Sequence, residues 1–464
     1  MTKAIGTRDY RKEYEMSRRT EMLMKNMEYI GYTDLNKKPG FQMAMYKSPE
    51  GKYYIYTACF RDNGFNIVDV TDPKNPTSTW VEGDWIGEIH DGQSLAKIQA
   101  ADGKLLCFYG GTMRVLHGTH EVPYWGGMKI YDIKTDPMHP KFLGQFECED
   151  GPGAHRSFYN GGDYVYVLGS KRNFIGYILR IVDISDPTHP VEAGSWWADG
   201  QYIGNKKASD IPEVGTEPFM KLPNGHAVTV KNDIAYAAFP NVGFCLIDVK
   251  DKTRPHLIGN IPLNPPFANG QSGAAVHTAM PLGDRPFAIV TTEGERPWYF
   301  DPNRETGMFH KITSQPMNII GMVETSDMEN PSLISIFPYP EVPEGYKKCH
   351  GDNFNIIDGQ RVVFGPHNMF DAFGQDCYEN RDDRVYNCHF QAGLRVYDVT
   401  DPFIPKEIAY FMPPDPEGTW FDIEDGTLFP GPHIGIAEDC LVDDRGYIYV
   451  DTYQDGMYIV RCTV

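Results

Sequence analysis

One pattern recurs along the whole sequence: a run of β-branched or aromatic residues, an Asp, a turn that usually contains Asp-Pro, and a further Pro. The full copies are FNIVDVTDPKNP from Phe65, MKIYDIKTDPMHP from Met128, LRIVDISDPTHP from Leu179, CLIDVKDKTRP from Cys245 and LRVYDVTDPFIP from Leu394. A degenerate copy, NIIGMVETSDMENP, starts at Asn318, and a truncated copy, MYIVRCTV, starts at Met457. This repetition predicts one small structural unit used seven times, which excludes most single-core folds.

Each copy predicts a β-strand followed by a turn, because its residues alternate between two faces and Asp-Pro favours turns. A further apolar strand follows the pattern, as in HLIGNIPL from His256, and two strands precede it, as in HAVTVKNDIAYAA from His226. Four antiparallel strands per unit are typical of a propeller blade. The sequence therefore predicts an all-β, seven-bladed β-propeller of four-stranded antiparallel blades.

The two ends of the sequence complement each other. The last copy stops at Val464 without an outer strand, and MEYIGYTDL from Met27 matches the missing outer-strand pattern. We expect residues 27–464 to form a single propeller in which residues 27–35 complete the last blade, so that no sheet edge stays open. Residues 1–26 are expected to form a helical or extended N-terminal arm.

The repeat has a family resemblance. IVDVTDP from Ile67, IVDISDP from Ile181 and VYDVTDP from Val396 resemble the LVIVD-repeat family, and this resemblance implies a propeller. A cytosolic propeller of this kind is also similar to the dihydrophloroglucinol cyclohydrolase-type hydrolases, which open a cyclic 1,3-diketone. That second resemblance implies hydrolysis of a C–C bond in a small ring compound.

Histidines recur at one register when the first residues of the innermost strands are aligned. The aligned set is Gln42, His90, His155, His226, His277, His350 and His433. In the sixth blade His367 is an alternative, but the strand-like segment GDNFNIIDGQRVVFG after His350 favours His350. Since inner strands line the axial channel, the six histidines are predicted to form a ring around it.

The ring predicts a centre for one divalent metal ion, Mn, Zn or Fe, because several neutral imidazoles can bind one ion. An ion held by neutral ligands keeps its charge and stays a strong Lewis acid. For any single histidine the alternative is a channel residue bonded to water. Histidines that are not ligands are expected to orient the ligands or to transfer protons.

Further catalytic residues are predicted on the same face of the ring. They are Glu293 and His367, where second strands end, and Asp91 and Arg156, which directly follow ring histidines. Glu293 is favoured as general base, because a carboxylate near a cation suits that role. The repeated aspartates follow the turns and are predicted to be structural: Asp69, Asp132, Asp183, Asp248 and Asp398.

Long insertions fall in the connections on that face, namely 109–127, 200–224, 296–316, 366–392 and 415–431. Loops of this length are typical of binding loops, although a stable ring also tolerates insertions. Their aromatic content predicts the wall of a small-molecule pocket. The predicted substrate-binding residues are Gln42, Trp125, Trp298, Tyr299 and Gln454.

Charge and cysteine content limit the partners and the compartment. The net charge of −20 argues against nucleic acid and anionic membranes. Nine cysteines without a CxxC pair indicate reduced thiols, and the first residues include no apolar signal segment. We expect a cytoplasmic protein that acts on a small molecule, and the sequence is compatible with a homo-oligomer.

The leading hypothesis is a metal-dependent enzyme that acts on a small carbonyl compound by hydrolysis, with lyase chemistry as the next choice. One alternative is a non-haem iron oxygenase, which the same histidines allow. Another is a non-enzymatic propeller scaffold that binds proteins, but a scaffold has no use for six axial histidines. Phosphate-binding loops and the GxSxG and HExxH motifs do not occur in the sequence.

Overall fold

Seven antiparallel blades follow one another along the chain and confirm the predicted all-β propeller. The computed structural model describes residues 18–59, 64–83, 93–111, 125–149, 151, 153–204, 222–263, 276–293, 298–299, 310–311, 319–354, 356–357, 360–361, 364–417 and 434–464. Two strands, β1 (Leu23–Lys25) and β2 (Met27–Thr33), come first and belong to the last two blades. A short 3-10 helix, Leu35–Lys37, leads into blade one.

Within each blade the strands run outwards from the channel in chain order. Blade one contains β3 (Gly40–Lys47), β4 (Tyr53–Cys59), β5 (Phe65–Asp69) and β6 (Thr77–Val81), and blade two contains β7 (Gln93–Ala101), β8 (Lys104–Gly111), β9 (Gly127–Asp132) and β10 (Lys141–Glu147). Blade three contains β11 (Tyr164–Gly169), β12 (Ile178–Asp183) and β13 (Val191–Trp196), and blade four contains β14 (Ala227–Lys231), β15 (Ile234–Phe239), β16 (Gly243–Asp248) and β17 (His256–Ile261).

The last three blades include three of the five long connections. Blade five contains β18 (Thr278–Pro281), β19 (Phe287–Thr291) and, after the short pair β20 (Trp298–Tyr299) and β21 (His310–Lys311), β22 (Ile320–Glu324) and β23 (Ser332–Ile336). Helix α1 (Glu344–His350) and the short pair β24 (Ile356–Ile357) and β25 (Gln360–Arg361) lead to blade six, which contains β26 (Arg384–Cys388), β27 (Leu394–Asp398) and β28 (Lys406–Met412). Blade seven contains β29 (Ala437–Val442), β30 (Tyr447–Thr452) and β31 (Met457–Cys462).

Two blades have an irregular innermost segment in place of a regular strand. In blade three this segment is held by the bridges Ala154–Gly169 and Phe158–Tyr166, and in blade six by the bridge Met369–Asn387. These segments still line the channel, so all seven blades present backbone to the axis.

The repeated sequence pattern forms the third strand of the blade, as β5 illustrates. Ile67 and Val68 are adjacent in sequence and both fully buried, because Ile67 packs toward blade two and Val68 toward blade seven. A strand buried on both faces explains why the pattern is an apolar run. Asp69 ends the strand, and its Oδ1 accepts the backbone N–H of Thr71 at 2.9 Å.

Glycine in the outer strand allows the next blade to pack closely. A Cβ atom at Gly194 of blade three would overlap the backbone carbonyl of Lys252, which lies in the turn of blade four. The same relation joins the two ends of the ring, since a Cβ atom at Gly31 would overlap the carbonyl of Pro73 in blade one. The repeated glycine therefore belongs to the contact between successive blades.

The N-terminal strand closes the ring as predicted. β2 pairs antiparallel with β31, from Met27 opposite Cys462 to Thr33 opposite Met457. The preceding strand β1 pairs with β28 and adds an extra outer strand to blade six. Residues 1–17 of the predicted arm lie outside the described residues.

Candidate metal centre

Four histidines occupy equivalent positions at the start of four consecutive inner segments. In each case the backbone N–H of the histidine donates to a carbonyl of the second strand of its blade. The four bonds are His155 to Leu168 (2.8 Å), His226 to Ala238 (2.8 Å), His277 to Thr291 (2.6 Å) and His367 to Cys388 (2.8 Å). We call these four residues the histidine arc.

The imidazole rings of the histidine arc touch one another in blade order. The ring centroids are 4.8 Å apart for His155 and His226, 4.3 Å for His226 and His277, and 4.8 Å for His277 and His367. Equal register in neighbouring blades thus brings together side chains that are far apart in sequence.

The hydrogen bonds of His226 determine which nitrogen is free to bind a ligand. Its Nδ1–H donates to the backbone carbonyl of His277 at 2.9 Å, so in the neutral ring Nε2 has the lone pair. This Nε2 lies 3.3 Å from Nε2 of His155. Two imidazole nitrogens that bind one tetrahedral zinc ion at about 2.0–2.1 Å lie roughly 3.3 Å apart, so the spacing fits shared ligation.

His277 and Glu293 complete a group that could hold a metal ion. One ligand atom from each of His226, His277 and Glu293 lies within 4.8 Å of the others. The Nδ1 atom of His277 lies 2.8 Å from Oγ1 of Thr278, while its buried Nε2 has no hydrogen-bond partner among the described residues. A buried nitrogen without a partner is costly unless a further group binds it.

Burial keeps these imidazoles neutral. Burial, followed by the charge of Arg156, lowers the pKa of His155 to about 3. Burial also lowers the pKa of His226 and of His277 well below the usual range for histidine. Neutral imidazole is the form that binds metal ions, so these residues are competent ligands at neutral pH.

His367 is oriented by a carboxylate of the neighbouring blade. Its Nδ1 atom lies 3.1 Å from Oε1 of Glu438, and its ring stacks on Phe390 at 4.5 Å between centroids. The same carboxylate oxygen accepts from Nδ2 of Asn368 at 3.2 Å. The nearby carboxylate and the stacked ring of Phe390 together restrict the orientation of His367.

Charged side chains continue along the channel beyond the arc. Nζ of Lys97 forms an ion pair with Oδ2 of Asp371 at 2.6 Å. Asp439 is buried beside them, and burial, followed by the charge of Asp371, raises its pKa to about 8. Its Oδ2 accepts the backbone N–H of Met43 at 2.8 Å, which links blades seven and one.

The structure corrects the register predicted for blade six. His367, and not His350, lies at the start of the inner segment of blade six. Its backbone hydrogen bond matches those of the other arc histidines. His350 instead ends helix α1, and its Nε2 lies 2.7 Å from Oδ2 of Asp415. Within its described residues, the strand-like segment after His350 forms the two-residue strands β24 and β25.

Other predicted site residues lie in different surroundings. Trp125 is buried in the core between blades one and two, with its ring 5.9 Å from that of Tyr109. Gln42 is buried on β3, and Gln454 follows β30 in the turn before β31. Trp298 and Tyr299 form β20, but their side chains lie outside the described part of the structure, as do His90, Asp91 and His433 altogether.

Arg156 was predicted to lie beside the ring of channel histidines, and in the structure it contacts the histidine arc. Its side chain is buried, and its Nη2 lies 3.5 Å from Nε2 of His367. Sequence reasoning missed Glu438, Asp371 and Lys97. A charged residue inside an otherwise apolar inner strand, as in SLAKIQAA and GIAEDCLV, is the signal that could have identified Lys97 and Glu438.

Comparison with known proteins agrees with the fold. The LVIVD repeat family matches residues 51–79, 161–197 and 224–262, so the chain contains LVIVD repeats. No curated protein sequence matches the chain. Within the described residues, no helix is long and apolar enough to cross a membrane.

Solved structures with a similar shape are remote in sequence. A hypothetical selenium-binding protein from Sulfolobus tokodaii has a TM-score of 0.50 and 15% identity, over 89% of each chain. A periplasmic gluconolactonase from Pseudomonas aeruginosa has a TM-score of 0.46 and 10% identity, over 95% of this chain and 100% of its own. A streptogramin B lyase has a TM-score of 0.45 and 9% identity, over 95% and 97%. Likeness at this identity concerns the fold alone.

Proposed function

We propose that the protein is a metal-dependent enzyme that acts on a small carbonyl compound by hydrolysis, with lyase chemistry as the next choice. The observation behind the proposal is the group of His226, His277 and Glu293, whose ligand atoms lie within 4.8 Å of one another, with Nε2 of the neutral His155 3.3 Å from Nε2 of His226. Three histidines with one further position open is a common ligand set of catalytic zinc sites.

The side chains fit a bound divalent ion on two counts. Nε2 of His277 is buried without a partner among the described residues, and the two Nε2 atoms of His155 and His226 have the spacing of shared ligands. When bound, such an ion would supply Lewis acidity, which polarises a carbonyl and lowers the pKa of bound water.

Residues of the chain would orient the metal ligands and accept a proton from a bound group. Nδ1–H of His226 is held by the carbonyl of His277, which fixes the direction of its free nitrogen. Glu293 is buried, and its carboxylate lies close enough to the ligand atoms to accept a proton from a group held there. Buried surroundings strengthen these interactions, because the local dielectric constant is low.

The substrates to test first are small cyclic 1,3-diketones, which follow from the resemblance to ring-opening hydrolases. We also propose that the enzyme works in the cytoplasm, which is supported by nine free cysteines, seven of them buried. Free thiols persist where the environment is reducing.

Metal analysis of protein purified without an affinity tag tests the proposal. Inductively coupled plasma mass spectrometry should find about one Mn, Zn or Fe per chain. Glu293→Gln should keep that metal content and lose about 10²- to 10⁴-fold in activity, because it removes the proton acceptor. His256→Ala, which changes an exposed outer-strand histidine, is the matched control and should change neither quantity.

Two results would contradict this assignment. Protein that contains no metal, and takes up none on reconstitution with Mn²⁺, Zn²⁺ or Fe²⁺, would leave a propeller scaffold with a polar channel. Loss of the metal in Glu293→Gln would make Glu293 a ligand and remove it as the base.

A non-haem iron oxygenase is the second candidate, and the donor set gives it specific support. His226, His277 and Glu293 make two imidazoles and one carboxylate, the combination typical of Fe(II) oxygenases. Activity assays with and without O₂ on iron-loaded protein separate the two candidates. Hydrolysis should proceed without O₂, whereas oxygenase turnover should stop.

A further inference from the structure

We propose that the site takes a substrate with one negative charge, a carboxylate or an enolate, and that Arg156 binds this charge. The inference rests on the proposed metal-dependent function and deepens it by naming the substrate class. It follows from the surroundings of a single buried guanidinium.

Arg156 is buried with unused hydrogen-bond donors. Its side chain is 4% exposed, and its Nε has no hydrogen-bond partner among the described residues. Among the described residues, its Nη2 contacts only Nε2 of His367, at the long distance of 3.5 Å. A guanidinium has five N–H donors in one plane, which match the two oxygens of a carboxylate. A buried cation with unused donors is costly for folding, so its presence points to an anion that binds there.

Arg156 lies close enough to the histidine arc to share a ligand with it. Its Nη2 lies 3.5 Å from Nε2 of His367, and the ring of His367 lies 4.8 Å from that of His277 between centroids. An anionic group on Arg156 would therefore lie next to the proposed metal position, where the reacting carbonyl would also bind.

The charges of the described residues around the site do not cancel once a divalent ion is counted. Lys97 and Asp371 form a pair that is neutral as a whole, and the raised pKa of Asp439 keeps it largely protonated at neutral pH. Asp451 lies close to Asp439 and Glu438, and burial raises its pKa well above the usual range too, so it is counted as neutral.

Glu293 and Glu438 are then counted as the two ionised carboxylates. Arg156 and a divalent ion together supply three positive charges against those two. One positive charge remains, and a monoanionic substrate would balance it. A small keto acid and an enolised 1,3-diketone both meet this requirement, since each carries one oxyanion and one carbonyl group.

Calorimetric titration of the wild type, Arg156→Gln and Arg156→Lys shows whether the bound negative charge is a carboxylate or an enolate. The probes are pyruvate for the carboxylate, 1,3-cyclohexanedione for the enolate, and cyclohexanone as a neutral control. Arg156→Gln should weaken binding of at least one anionic probe about 10- to 100-fold, the range of a charge-assisted bond, and leave cyclohexanone unchanged. Arg156→Lys should recover part of the loss, because it restores a point charge without the planar fork.

Arg254→Gln removes an exposed arginine of a turn and is the matched control for total charge. It should bind the probes as the wild type does. Thermal melting supplies a second readout: Arg156→Gln should unfold no earlier than the wild type, whereas an arginine needed for packing would lower the unfolding temperature.

Metal content is measured first on every variant, so that the two proposals fail separately. The anion site is overturned if metal-loaded Arg156→Gln binds each anion as tightly as the metal-loaded wild type does. It is also overturned if the wild type binds neither anion at about 10 mM. Both outcomes leave the metal centre intact. If no metal is found, the metal centre fails, and the same titrations on metal-free protein still decide the role of Arg156. The probe that binds more tightly identifies the anion as carboxylate or enolate.

Discussion

Two sets of residues recur from blade to blade, the turn aspartates and the channel histidines, and they differ in where their partners lie. Oδ1 of Asp69 accepts the backbone N–H of Thr71, two residues further along. The histidines instead contact other blades, as when His226 donates to the carbonyl of His277 and lies 3.3 Å from His155. Repetition alone therefore does not distinguish a structural residue from a functional one, whereas the location of its partners does.

The five turn aspartates repeat the same local bond with little variation. Their Oδ1 atoms accept from Thr71 (2.9 Å), Lys134 (2.9 Å), Ser185 (2.8 Å), Lys250 (2.8 Å) and Thr400 (2.8 Å). Such a bond replaces a backbone partner and stabilises the turn by itself. Each aspartate thus has its hydrogen-bond partner within its own blade, so replacing it should not change the residues of the channel.

Removing one member of each set should produce the largest contrast. His277→Ala should lower the metal content from about one ion per chain to near zero and abolish activity, because the ligand set loses a nitrogen. Asp183→Ala should keep the metal. Mass spectrometry of both variants, with circular dichroism as the check on folding, measures the difference.

The contrast fails if Asp183→Ala also loses metal, because a turn residue would then control the channel. It also fails if His277→Ala keeps about one metal ion per chain. Unfolding of His277→Ala would be unexpected as well, since each blade is held by its own strands.

The corrected register of blade six leads to the next largest effect. His367→Ala should weaken metal binding about 10- to 100-fold, the usual loss when a partner of a metal ligand is removed, because its ring lies 4.8 Å from that of the proposed ligand His277. His350→Ala should leave metal affinity unchanged, although it breaks the contact with Asp415. Competition with a chelator gives both affinities, and the reverse order of effects would restore the register read from the sequence.

The fold could be predicted because its determinants are local. Alternation and the Asp-Pro turn are visible within a dozen residues, and the truncated copy from Met457 together with the outer-strand pattern from Met27 predicted the pairing of β2 with β31. The arc positions His155, His226 and His277 could be predicted for the same reason. Each lies just before a strand or bridged segment that runs along the channel.

The rest of the site depends on contacts between blades, which leave no local pattern. The inner segment of blade six around Met369 is joined to the next strand by one bridge, to Asn387. Because this segment is not a regular strand, its sequence lacks the alternation that would have predicted it. The segment after His350 does alternate, but it belongs to a long connection. Glu438 meets His367 only because the ring brings blades six and seven together.

A smaller effect is expected from the close contact between outer strands and turns. Gly194→Val should destabilise the protein by about 1–3 kcal/mol, because the new side chain meets the carbonyl of Lys252 and one blade must shift. Gly194→Ala should cost less, and neither variant should change the metal content. Denaturant unfolding measures the loss of stability, and a change of metal content in either variant would show that the blade contact reaches the channel.

The smallest effect concerns the charge of a turn aspartate. The side-chain hydrogen bond from Thr400 is the largest cause that lowers the pKa of Asp398. A carboxylate whose pKa is lower in the folded state stabilises the fold above its unfolded pKa of about 3.9, and this contribution disappears as the pH falls through the folded pKa. Asp398→Asn should therefore cost about 0.5 kcal/mol at pH 7 and nothing at about pH 2. Denaturant unfolding of both proteins across this range tests the sign, and a difference that grows on acidification would contradict the turn assignment.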